Sequence, residues 1–253
     1  MEHKMLTPAQ LREAYVDIGE HKAERPLGQM VAVAIFAGMF IALAGIGSTW
    51  ASTLVENYSL KRLIAGCVFP TGLLLVVLAG VDLFTGNCLM TIALLEKRIT
   101  LRSMLRNWCV VYLGNFIGAA FIAACVVWGG VFAGRENILL DYAAGKIMPF
   151  GQAFFRGILC NILVCFAVML AAASKDAVGK VVTLYFPVAI FIMAGYEHCV
   201  ANMYYFAAAL LVDPAVVSVG DLLMKNLIPV TLGNIVGGAG LVGAGYWYAF
   251  RKH

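Results

Sequence analysis

Glu197 and His198 stand side by side in Gly195-Tyr-Glu-His-Cys-Val-Ala-Asn202, between two long apolar runs. A histidine can exchange a proton near neutral pH. An ionisable pair within sequence of membrane-spanning length is costly to bury and marks a site whose partner has to be found. A second stretch, Gly80-Val-Asp-Leu-Phe-Thr-Gly-Asn87, repeats the skeleton: a glycine, an acid two residues on, and an asparagine five further. Thr85 offers a hydroxyl there. The remaining histidines, His3, His21 and His253, lie near the chain ends. Both stretches read as breaks in membrane helices, and a break leaves free N–H and C=O ends with partial charges. The N–H ends favour anions, so Asp82 and Glu197 are placed to cap them and order the loops. His198 is either a satisfied core residue or the group that meets a cargo. Burial opposes its charged form and an arriving anion favours it. Phe69, Leu83, Phe84, Val164 and Phe191 form apolar collars around such a pathway, or make ordinary core and lipid contacts.

Irregular backbone survives at membrane depth only where protein buries it or a cavity is wet, so the rest of the chain must enclose these breaks. Its composition permits this: 62% of the 253 residues are hydrophobic, 13% are charged and the mean hydropathy is +0.88. Soluble domains average about 45–50% apolar and about 25% charged. The chain is an all-α integral membrane protein by this measure. Its first 27 residues are polar and charged, so no leader is expected to be removed. The net charge of +4 comes from basic residues at span ends and calls for no nucleic acid. The seven cysteines fall in apolar segments without CxxC or zinc spacing, so no metal or cofactor is expected and they read as packing residues, Cys199 beside His198 standing apart.

Thr7-Pro8 opens a short helix within residues 1–27, with Leu11, Ala14, Tyr15 and Ile18 on one face. It is expected on the membrane surface or against a neighbouring subunit. Six spans follow in a single domain, residues 28–250: about 28–49, 63–95 with a break at 80–87, 104–128, 151–173, 181–212 with a break at 195–202, and 226–250. Residues 251–253 form a tail. Of the 18 Lys and Arg residues, 12 fall on the side of the N-terminal segment, the 97–106 loop, the 175–180 turn and the tail. Both termini are therefore expected to be cytoplasmic.

The chain also repeats itself. Asn107, Gly114, Asn115 and Gly118 recur as Asn226, Gly233, Asn234 and Gly237, each 119 residues on, and Gly38 recurs as Gly157. The breaks match at an offset of 115. Each half, residues 28–128 and 151–250, has three spans, so the two insert in opposite senses. Inverted repeats with a broken helix in each half are the signature of a transport site. The small residues of the third and sixth spans offer close packing surfaces, including between subunits.

The segments Asp82-Leu-Phe-Thr-Gly86, Asn107-Trp108 with Gly114-Asn115, Arg156-Gly-Ile-Leu-Cys-Asn161-Ile-Leu-Val-Cys165, Gly195-Tyr-Glu-His-Cys-Val-Ala-Asn-Met203 and Leu232-Gly-Asn234 resemble the formate/nitrite transporter family, in order and over nearly the whole chain. The resemblance implies an aquaporin-like fold, a homopentamer and one anion pathway in each protomer. It makes His198 the central pore histidine, Thr85 the threonine of the facing loop, Asn161 the asparagine near that histidine and Lys146 the lysine of the outer vestibule. Leu73, Leu83, Phe69, Phe191 and Val164 become the apolar constrictions, and Glu197, Asn87 and Asn202 join the pathway.

The reading is a channel or transporter for small monovalent anions (formate, nitrite or hydrosulfide) with protons as possible companions. His198 either hydrogen-bonds the anion or protonates it. A channel for neutral solutes of the aquaglyceroporin kind predicts Asn-Pro-Ala in each break, but Cys88 follows Asn87 and Met203 follows Asn202. An enzyme would need a further catalytic or metal group. A scaffold without transport leaves the Glu197-His198 pair without a purpose.

Overall fold

The computed structural model describes residues 5–215 and 218–251. Expectations for residues 1–4 and 252–253, among them His3, Lys4, Lys252 and His253, lie outside the described residues. The chain opens with α1 (Pro8–Glu24), started by a capping box in which Thr7 and Gln10 bond reciprocally. The first span is α2 (Leu27–Ser52). The second runs through α3 (Tyr58–Val68) and α4 (Pro70–Leu78), breaks, and resumes as α5 (Phe84–Asn87), a 3-10 turn (Cys88–Met90) and α6 (Thr91–Leu95). The third is α7 (Leu101–Trp128), and α8 (Asn137–Ala144) lies in the loop between the halves. The fourth is α9 (Phe150–Ala173); the fifth is α10 (Ala177–Ala194), a break, and α11 (Cys199–Val212). The sixth joins α12 (Val219–Leu222), α13 (Ile228–Ile235) and α14 (Gly245–Phe250) through two π-helical stretches.

Six of these helical stretches are long and apolar enough to cross a membrane. The second, fifth and sixth begin earlier than the apolar runs alone indicate. Their starts are set by capping side chains: Asn57 accepts from the Leu60 N–H, Asp176 from Gly179 and Ser218 from Asp221. An even number of spans puts both chain ends on one side, and the Tyr246 hydroxyl donates to the Pro8 carbonyl at 3.2 Å.

Both breaks turn on a glycine in the left-handed region, Gly80 at φ 68° and Gly195 at φ 75°. An L side chain is strained there, so the sequence stops the helix where it supplies these residues.

The glycines of the third and sixth spans bring helices into close contact inside the protomer, as their small size led one to expect. A Cβ on Gly38 would run into the Asn115 carbonyl, and one on Gly118 into that of Ile35, so α2 and α7 touch backbone to backbone. In the other half Gly233 and Gly237 sit equally close to the Phe154 and Ile158 carbonyls of α9.

The position of α1 is a correction. It packs on its own chain, burying Leu11, Tyr15, Val16 and Gly19 against α6, the 3-10 turn and the end of the sixth span. Arg12 pairs with Glu96, which also accepts from Trp247 Nε1 at 2.7 Å, and Arg98 pairs with Glu20. The apolar stripe seen in the sequence faces this protein interior rather than lipid.

Candidate functional site

Each break is held by an asparagine from the next intact span. Asn115 Oδ1 accepts the N–H of Phe84, the first residue of α5, at 2.9 Å. Its Nδ2 donates to the Ala34 carbonyl at 2.8 Å and the Asp82 carbonyl at 3.0 Å. Asn234 does the same for Cys199, the first residue of α11, with Nδ2 on the carbonyls of Gly157 and Glu197. The 119-residue repeat pointed to these asparagines as equivalent positions but gave them no role; their place in the site was missed.

The acids do not cap the resumed helices. Leu83 stands at the N-cap of α5 and makes no side-chain cap bond, while His198 caps α11. Asp82 pairs instead with Lys22 at 2.8 Å and Arg25 at 3.2 Å, both from the end of α1. Glu197 pairs with Lys146, whose Nζ is 3.1 Å from both carboxylate oxygens. The asparagines five residues on complete each cluster. Asn87 donates to Asn107 at 2.8 Å and accepts from Lys22 at 2.5 Å. Asn202 donates to Glu197 at 2.8 Å and to Asn226 at 2.7 Å, and Asn226 reaches back to the Lys146 carbonyl. Each half thus repeats one motif: acid, asparagine, a second asparagine opening the next span, and a lysine from an extramembrane segment. An exposed cation at Lys146 is not what the fold provides, because its charge is largely matched by Glu197.

Between the clusters the two breaks meet. Thr85 Oγ1 and His198 Nε2 are 2.9 Å apart, and both residues are buried. His198 Nδ1 accepts the Ala201 N–H at 3.2 Å. With Nδ1 an acceptor, a neutral ring carries its proton on Nε2 and donates to Thr85. Asn161, halfway along α9, donates to the carbonyls of Thr85 at 3.2 Å and Asn234 at 2.7 Å. The Cys165 thiol lies 3.5 Å from the same Thr85 carbonyl.

Two cavities flank this pair. One of about 510 Å³ is lined by Lys22, Arg25, Asp82, Asn87, Leu73 and Leu83. The other, about 760 Å³, is lined by Lys146, Glu197, Phe69, Phe191 and His198 itself. The Phe69 and Phe191 rings meet edge to face with centroids 5.7 Å apart, and Phe191 stacks on His198. Leu73 with Leu83, and Phe69 with Phe191, therefore stand on opposite sides of Thr85 and His198. Val164 is buried on α9 one turn from Asn161 and lines neither cavity. Phe84 turns away, its ring 4.9 Å from Tyr112 and 6.1 Å from Trp108, and is a packing residue rather than a collar. Cys88, Cys160, Cys165 and Cys199 are buried, whereas Cys67, Cys109 and Cys125 are exposed on the protomer's outer surface.

Two inverted halves, each contributing a broken helix to one buried polar contact between two cavities, define a multi-pass membrane transport protein. The family model described as formate/nitrite transporter matches residues 9–248, and the chain belongs to that family. It is 38% identical to a probable formate transporter of Methanothermobacter thermautotrophicus, over 97% of each chain. Among solved structures it resembles one described as an FNT family ion channel, with a TM-score of 0.85 and 31% identity over 96% of this chain and 98% of that one. It also resembles a pentameric formate channel with formate bound, with a TM-score of 0.79 and 32% identity over 89% of this chain and 98% of that one.

Proposed function

We propose that the chain assembles as a homopentamer in which each protomer carries its own pathway for a small monovalent anion: formate, nitrite or hydrosulfide. The observation that carries this reading is the buried Thr85–His198 contact, joined from both halves and set between two cavities. The solved pentameric relative supports the subunit number and the formate class. Both termini face the cytoplasm in this proposal, on the strength of the basic residues, and lipid surrounds the apolar outer faces.

The collars exclude a hydrated ion, so the polar pair must replace lost water. The His198 Nε2–H already donates to Thr85, which leaves the threonine hydroxyl hydrogen free to turn toward an anion. The imidazole N–H then supplies a second donor as the threonine rotates. A further proton on Nδ1 would face the Ala201 N–H and remove the cap of α11. Of the two routes, hydrogen bonding is therefore favoured over proton handover by His198, and a proton that accompanies the anion is supplied by vestibule water. Lys146, Glu197, Asn87 and Asn202 set the shape of the two approaches.

Proteoliposomes given gradients of formate, nitrite and hydrosulfide test the reading, with glycerol swelling as the counter-assay. Anion flux that His198→Phe abolishes supports it. Glycerol permeation without anion flux establishes the neutral-solute channel in its place.

A further inference from the structure

The cavity on the His198 side is lined by Lys61, Arg62, Arg135, Lys146 and Arg156, against the carboxylates Asp141 and Glu197. Lys146 is matched by Glu197, and Arg135 lies 5.7 Å over the Trp50 ring. Arg62 differs from the others in being fixed without being neutralised. Its Nε donates to the Met193 carbonyl at 2.9 Å and its Nη2 to the Ile192 carbonyl at 2.5 Å. Those carbonyls end α10, where the partial negative charge of a helix collects. They are neutral groups, and no carboxylate pairs with Arg62 among the described residues.

A guanidinium has five N–H donors, and two are used here. The rest form a rigid fork that suits two oxygens of one anion. Gly195 leaves the room: a Cβ there would stand 2.6 Å from Nη2. The same cavity continues past Phe69 and Phe191 to His198.

We infer that Arg62 is an anion-docking group, which takes a planar two-oxygen anion from the vestibule before it passes the Phe69–Phe191 collar; this rests on the anion reading above. Lys146, already paired, is not the principal docking cation. A fork selects by shape as well as charge, so formate and nitrite gain more from it than hydrosulfide, which offers one sulfur.

Arg62→Gln removes the charge, and Arg62→Lys keeps the charge but loses the fork. Initial flux is measured against anion concentration in proteoliposomes, using protein that elutes as an intact oligomer. Arg62→Gln is expected to raise the half-saturating formate concentration by about two- to fivefold, as for a partly exposed ion pair, and more than it lowers maximal flux. The shift should be smaller for Arg62→Lys, smaller for hydrosulfide, and reduced at high salt. An unchanged half-saturating concentration in both variants, or a loss of maximal flux alone at every salt concentration, overturns the inference and leaves Arg62 as a clamp on α10. Wild-type protein that carries no anion at all removes the parent reading, an outcome distinct from either.

Discussion

Asn115 and Asn234 make the same three hydrogen bonds in opposite halves of the protein. Each ties the first N–H of a resumed helix, the carbonyl of the acid before it and the carbonyl of a neighbouring span. A break in a membrane helix exposes backbone groups that lipid cannot satisfy, and these side chains satisfy them.

Asn115→Ala should therefore destabilise the fold by about 1–3 kcal/mol for each buried group left unpaired. Asn234→Ala should match it, because the contacts match. Thermal unfolding of the purified protein in detergent measures both. A large loss for one and none for the other would show that the two breaks are held by different forces.

Gly38 and Gly28 make a paired test of close packing in one helix. Gly38 faces the Asn115 carbonyl directly, while a Cβ on Gly28 would meet nothing within 4 Å. Gly38→Ala should cost about 1–3 kcal/mol by overpacking. Gly28→Ala should be neutral or stabilising by up to about 1 kcal/mol, since it removes backbone freedom from the unfolded chain. Similar melting shifts in the two variants would mean that α2 and α7 separate easily.

Substitutions at the central pair separate hydrogen bonding from proton transfer. His198→Asn retains a donor and an acceptor but does not titrate near neutral pH. It should preserve a substantial part of anion flux, whereas His198→Phe should abolish it. Thr85→Val, which removes the hydroxyl from a buried contact of 2.9 Å, should reduce flux by about tenfold or more. Flux measured from pH 5 to pH 8 reads the rest: loss of flux in His198→Asn equal to that in His198→Phe would favour direct proton handover by the ring.

The end of α1 is held over one cavity by Lys22 and Arg25 on Asp82. Removing the acid leaves two partly buried cations without their partner. Asp82→Asn should speed trypsin cleavage after Lys22 by about tenfold as this helix end opens locally. An unchanged rate would place the hold in the other contacts of α1, Lys22 with Asn87 and Asn107 at this end and the Arg12–Glu96–Trp247 cluster at the other.

The breaks and the inverted repeat were legible in the sequence because glycine, acid and asparagine recur at fixed offsets, whereas the facing of Thr85 and His198 was implied by the family resemblance. The partners of the acids were not legible. Spacing placed Asp82 and Glu197 near free N–H groups, but the left-handed turns at Gly80 and Gly195 send their side chains toward lysines from distant segments. Phe84 shows the same limit. Its neighbours Leu83 and Thr85 face the pathway, yet the first residue of a restarted helix points to the opposite side, onto Tyr112. Glycines revealed close packing without naming the partner; that Gly38 and Gly118 bring α2 onto α7 is seen only in the structure. The 119-residue offset marked Asn115 and Asn234 as equivalent, but a buried asparagine that packs and one that clamps a loop look alike until the backbone around them is known.

Asn161 bonds to the carbonyls of Thr85 and Asn234, so one side chain at the middle of α9 fastens the two breaks together. Changes in bilayer thickness act on membrane proteins chiefly by tilting or stretching helices at their ends. This fastening sits halfway along α9, well away from either end of that helix. Strain applied at the helix ends should therefore reach the Thr85–His198 contact weakly, and flux through intact protein is expected to vary little between thin and thick bilayers.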